Sequence, residues 1–106
     1  MDKVVMLTEI LSQDPMNAFA RYGLAMEFAG RGDASTAIAE FDRLLHDHPD
    51  YTPGYFMAAQ TLANSGESQR AISYLRLGLD CAQRTGNQHA FSEMQTMLSD
   101  LEEQCS

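Results

Sequence analysis

The 106-residue chain sets 7 Lys and Arg against 15 Asp and Glu, a formal charge of -8, and 44% of it is apolar. This length suits one compact domain with no room for a second, and the apolar share is that of a chain that folds. An acidic field repels phosphate backbones and anionic lipids, which excludes nucleic acid and membrane surfaces as partners.

No stretch approaches the roughly 18 apolar residues that span a bilayer. The start, Met1-Asp2-Lys3-Val4-Val5-Met6-Leu7, has neither a long apolar core nor a small-residue cleavage site. A cytoplasmic protein is expected. Cys81 and Cys105 form no CxxC pair, so they read as reduced thiols, Cys81 as a small buried hydrophobe.

The breakers Asp14-Pro15, Gly30-Arg31-Gly32-Asp33, His48-Pro49, Ser65-Gly66-Glu67 and Thr85-Gly86-Asn87 divide the chain into six predicted helices. The first, near residues 2 to 13, carries Val4, Leu7 and Leu11 on one side. The second, 17 to 30, has Leu24, Ala25 and Phe28, and the third, 34 to 47, has Ala37, Ile38, Phe41, Leu44 and Leu45. A fourth follows over 52 to 64 and a fifth over 68 to 84. Apolar spacings of three and four are those of amphipathic helices. The sixth, 88 to 103, turns Phe91, Met94, Leu98 and Leu101 inward and keeps Glu93, Asp100, Glu102 and Glu103 in water. Glycines at the breaks suit left-handed caps, and Asp33, Ser68 or Asn87 can accept from the free amides of the next helix.

A single constant shift superposes the chain on itself: Pro15 on Pro49, Gly32 on Gly66, Ala25 on Ala59, Ala37 on Ala71, Ile38 on Ile72 and Leu45 on Leu79. Phe28 falls on Leu62 and Phe41 on Leu75, while Val4, Leu7 and Leu11 precede Ile38, Phe41 and Leu45 by the same interval. Small residues at recurring places let paired helices approach closely, and the large ones fill the spaces between layers.

On these residues the chain resembles the tetratricopeptide repeat family, in particular its small bacterial-type members. Leu24, Ala25, Phe28, Gly32, Ala37, Phe41, Leu44 and Pro49 carry the likeness in one unit, and Tyr55, Ala58, Ala59, Leu62, Gly66, Ala71, Leu75 and Gly78 in the next. Two places depart from the pattern: Arg21 stands where the family favours Trp, and Gln83 where a Pro would fall. The resemblance implies an all-α fold, antiparallel helix-turn-helix repeats stacked as a short right-handed α-solenoid. Its parts would be a half repeat over 1 to 15, repeats over 16 to 49 and 50 to 85, and a C-terminal capping helix over 86 to 106.

The resemblance also implies that the first helix of each repeat lines a concave groove. The residues facing it are Phe19, Tyr22, Met26 and Ala29, then Phe56, Gln60, Ala63 and Asn64. Tyr22 and Phe56, one repeat apart, are expected to project side by side. Some relatives grip an acidic peptide with Lys, Arg and Asn at such positions, and this chain has none of that clamp among Phe19, Tyr22, Met26, Phe56 and Gln60.

Signs of other chemistry are few. His46 and His48 stand two apart on a helix, pointing about 200° away from each other, so they read as solvated residues at a helix C-terminus and not as metal ligands. His89 stands alone, and no HExxH, catalytic triad motif or glycine-rich phosphate loop occurs. The expectation is therefore an adaptor without cofactor or metal, not an enzyme, that binds a protein or peptide in an apolar, aromatic groove. The alternative is a self-associating structural protein, a homo-oligomer whose groove or stack ends bind its own copies.

Overall fold

The computed structural model describes residues 2–105, all of whose regular structure is α-helical. The helices are α1 (Lys3–Gln13), α2 (Ala18–Gly30), α3 (Ala34–Asp47), α4 (Thr52–Asn64), α5 (Ser68–Thr85) and α6 (Gln88–Cys105). This is an all-α helical repeat fold. The chain divides between Tyr51 and Thr52 into two compact units, the first holding α1 to α3 and the second α4 to α6.

Glycine makes the turn inside each helical hairpin. Gly32 and Gly66, which share one place in the repeat, have φ of 82° and 79°, the left-handed region open to a residue without Cβ. The residue after each closes the turn by donating back across it, Asp33 N–H to the Phe28 carbonyl at 3.0 Å and Glu67 N–H to the Leu62 carbonyl at 2.9 Å. Side chains then start most of the following helices. Asp2, Asn17, Asp33 and Asn87 accept from the amides of Val4, Ala20, Thr36 and Ala90 at 3.0, 2.9, 3.2 and 3.0 Å.

Ser68 does not act as a cap. The turn register that puts Asp33 before α3 puts Glu67 before α5, so Ser68 is already helical, and Glu67 makes no side-chain cap hydrogen bond. The Glu67 carboxylate accepts instead from Arg70 Nη1 at 3.1 Å. Without a proline at position 83, α5 runs on to Thr85 and ends at Gly86.

In the first unit, α2 packs against both α1 and α3. Buried Leu11, Ala20 and Leu24, with Val4, Leu7 and Phe28 against them, join α1 to α2. Ala25, Ala37, Phe41 and Leu44 are fully buried. Arg21, at the place of the family's Trp, reaches across to α3, where its Nη1 meets Glu40 Oε2 at 3.0 Å. An ion pair thus ties the two helices where the family uses an indole.

In the second unit, α5 packs against α4 and α6. Ala58, Ala59, Ala71, Leu75, Cys81 and Met94 are fully buried. A Cβ placed on Gly78 would lie 2.5 Å from Met94 Sδ and 2.7 Å from Tyr55 Cβ, so the three helices converge at a point where only glycine fits. Cys81 is buried as expected, its Sγ 3.3 Å from Thr52 Oγ1. Along α6, Met94, Leu98 and Leu101 are buried, Phe91 is half-buried, and Glu93, Asp100, Glu102 and Glu103 are exposed, the division its pattern requires.

Candidate functional site

The outer side of α2 carries Phe19, Tyr22, Met26 and Ala29 at intervals of three and four, one face of a helix. None of the four belongs to the buried core. Phe19, near the start of α2, is 80% exposed, the most open large apolar side chain among the described residues. Met26 and Ala29 are half-buried.

Tyr22 differs from these. Its ring lies edge-on to Phe41 with centroids 6.3 Å apart and tilted against Tyr51 at 5.3 Å. Aromatic pairs in this range add cohesion beyond the area they bury. The three rings form a small platform, and burial raises the Tyr22 hydroxyl pKa above that of a free phenol, with the neighbouring Tyr51 adding to the effect. Tyr22 is therefore part support and part surface, while Phe19 is surface alone.

On α4, Phe56 and Ala63 are half-buried and Gln60 and Asn64 exposed. This face places one aromatic ring beside two amide groups, which can both donate and accept. Buried residues of the same helix, Tyr55, Ala58, Ala59 and Leu62, take its other side.

Three features of these surfaces escape the periodicity. Tyr51 lies between helices, where no helical spacing marks it as a partner for Tyr22. Glu40 is half-buried in its pair with Arg21. The third is on α1, where Met6 and Ile10 are exposed beside the packed side of the helix. The signal for it lies in the repeat, since Ile10 precedes Leu44 by one repeat length. An ion pair also links the start of α1 to the end of α2: Arg31 donates to Asp2 and holds the Asp2 carboxyl below its ordinary pKa, helped by the Val4 amide.

No protein-family model matches the chain. It is 27% identical over 96 residues to a TPR repeat-containing protein of Pseudomonas aeruginosa, covering 91% of each chain. The solution structure of a tetratricopeptide repeat domain protein from Salinibacter ruber is 30% identical, with 84% of this chain and 90% of that one covered and a TM-score of 0.78. The TPR2B domain of yeast Sti1, solved in a complex with pHsp70, shares the fold at a TM-score of 0.87, 19% identical over 95% of this chain and 81% of that one.

Proposed function

Because the chain belongs to the tetratricopeptide repeat family, we propose that it is a protein-binding adaptor, not an enzyme, which holds a segment of another polypeptide on the first helices of its repeats, residues 16 to 49 and 50 to 85. The observation that carries this reading is Phe19: a phenyl ring 80% exposed, beside half-buried Tyr22 and Met26 on a helix whose other side buries Ala20, Leu24 and Ala25. Exposing such a ring loses hydrophobic stabilisation, and it supports a surface that is covered when a partner arrives. Aromatic and Met side chains supply contact area, and Gln60 and Asn64 beside Phe56 supply hydrogen bonds for a peptide backbone. The binding of pHsp70 by a structure of the same fold supports a polypeptide as the class of ligand.

The test is selection of random peptides against the full chain, followed by affinity measurement on variants. Exposed Phe19 supports nothing else in the fold, so Phe19→Ser isolates recognition from stability in a way that Tyr22→Ser, which would also leave Phe41 and Tyr51 without their third ring, does not. A central aromatic is typically worth about 2 kcal/mol, so Phe19→Ser should weaken the selected peptides by roughly thirtyfold with an unchanged unfolding midpoint. Phe56→Ser should weaken them in the same direction. Peptides that bind Phe19→Ser as tightly as the wild type would refute this face as the site.

A further inference from the structure

The repeat register shows what one side of α1 is built to do. Met6 and Ile10 precede Glu40 and Leu44 by one repeat length. In α3 that side is turned to a neighbouring helix: Glu40 meets Arg21 of α2 at 3.0 Å, and Leu44, one turn further on the same face, has no exposed surface. In α1 the same two places are open, Met6 44% and Ile10 39% exposed. Among the described residues α1 packs against α2 alone, through Val4, Leu7 and Leu11. Two apolar side chains, at places that α3 turns to a neighbouring helix, are thus left open on α1.

The charges along this face are complementary to themselves. Lys3, Met6, Ile10 and Gln13 follow at intervals of three, four and three, forming one exposed stripe that contains no acid. Lys3 stands at its amino end and Asp14, the residue that ends α1, at the other. Neither is in an ion pair with another described residue. The chain as a whole carries a charge of -8, which disfavours association without such complementary contacts.

We propose that this stripe is the contact of a homodimer, in which α1 of one copy lies antiparallel along α1 of a second about a twofold axis. Antiparallel pairing sets Met6 and Ile10 of one copy against Ile10 and Met6 of the other. It also brings each Lys3 to the Asp14 carboxylate and the negative helix end of the other copy, whereas parallel pairing would set like charges together. Two helices of 11 residues, each about 16 Å long, make a short contact, so the dimer belongs to the weak class of interfaces. The inference stands on α1 and is independent of the faces of α2 and α4.

Sedimentation equilibrium of the full chain from about 10 μM to about 1 mM tests it, over the range in which a weak dimer fills. The weight-average mass should climb from monomer toward dimer for the wild type and stay at monomer for Ile10→Glu. Lys3→Glu and Asp14→Lys should each weaken association by roughly tenfold, and the double variant Lys3→Glu with Asp14→Lys should restore it. These side chains are exposed, so helicity by circular dichroism should not change. Phe19→Ser should dimerise like the wild type, so that loss of peptide binding and loss of dimerisation are separate results. A wild type that stays monomeric at about 1 mM, or an Ile10→Glu variant that associates normally, overturns the proposal. A double variant as weak as the single ones overturns the antiparallel arrangement and with it the dimer described here.

Discussion

The two units are built from the same repeat, yet they treat apolar surface in opposite ways. In the second, α6 lies along α5 and places Met94, Leu98 and Leu101 into the interior, and Leu77 is the exposed large hydrophobe. In the first, Val5, Met6, Ile10, Met16 and Phe19 all face water. The contrast comes from which helices have neighbours. A helix flanked on both sides, such as α5, has its stripe covered by its own chain, while α1, which packs against α2 alone among the described residues, leaves Val5, Met6 and Ile10 exposed. The first unit thus exposes more large apolar side chains than the second.

Interior changes in the second unit should therefore be the most damaging. Met94→Ala removes a fully buried side chain from between helices and should cost about 2 to 5 kcal/mol by urea unfolding, whereas Ile10→Ala on the open side of α1 should cost less than about 0.5 kcal/mol. Equal losses would erase the comparison.

Gly78→Ala should come next, at about 1 to 3 kcal/mol, because its Cβ would press on Tyr55 Cβ, which is fixed to the backbone of α4 and has little freedom to yield. Pairing it with a smaller residue at Met94 relieves one of the two clashes and should recover part of the loss in a double-mutant cycle.

Within the first unit, the ion pair between Arg21 and Glu40 is partly shielded, with side chains 13% and 22% exposed. Arg21→Glu should cost about 1 kcal/mol in thermal unfolding, and Arg21→Glu with Glu40→Arg should regain much of it. Failure of the double variant to recover would mean that the stem of Arg21 packs in place of the family's Trp and its charge matters little.

The smallest effects are those of pH. Burial raises the Tyr22 pKa above its ordinary 10.0, so the unfolded chain ionises first on the alkaline side. Stability should be level below pH 10.0, fall as pH rises from there through the folded-state pKa, and fall less in Tyr22→Phe. Phenolate absorbance in native and urea-unfolded protein measures this directly. Asp2 has the opposite sign: its pKa lies below the ordinary 3.8, so its contribution is present above that value and is lost as the solution is acidified through the folded-state pKa. Asp2→Asn, which can still cap α1, should flatten that acid limb slightly.

The helices are legible in the residue pattern, because apolar spacing, Gly32, Gly66 and Gly86, and the caps Asp33 and Asn87 act within a few residues of one another. Local chemistry also marked Ala37, Phe41, Ala71 and Leu75 as interior, since their spacing allows no other side of the helix to be covered. Other features depend on groups far apart in the chain and emerge only when the helices pack. Arg21 was a departure from a pattern until Glu40 gave it a partner, and Tyr22 was a surface residue until Phe41 and Tyr51 made it half of a support. Ile10 and Leu44 carry the same apolar character at the same place in the repeat, so no property of either residue separates them. One is buried and the other open because burial belongs to the neighbour that arrives, and periodicity describes a helix without saying what lies beside it.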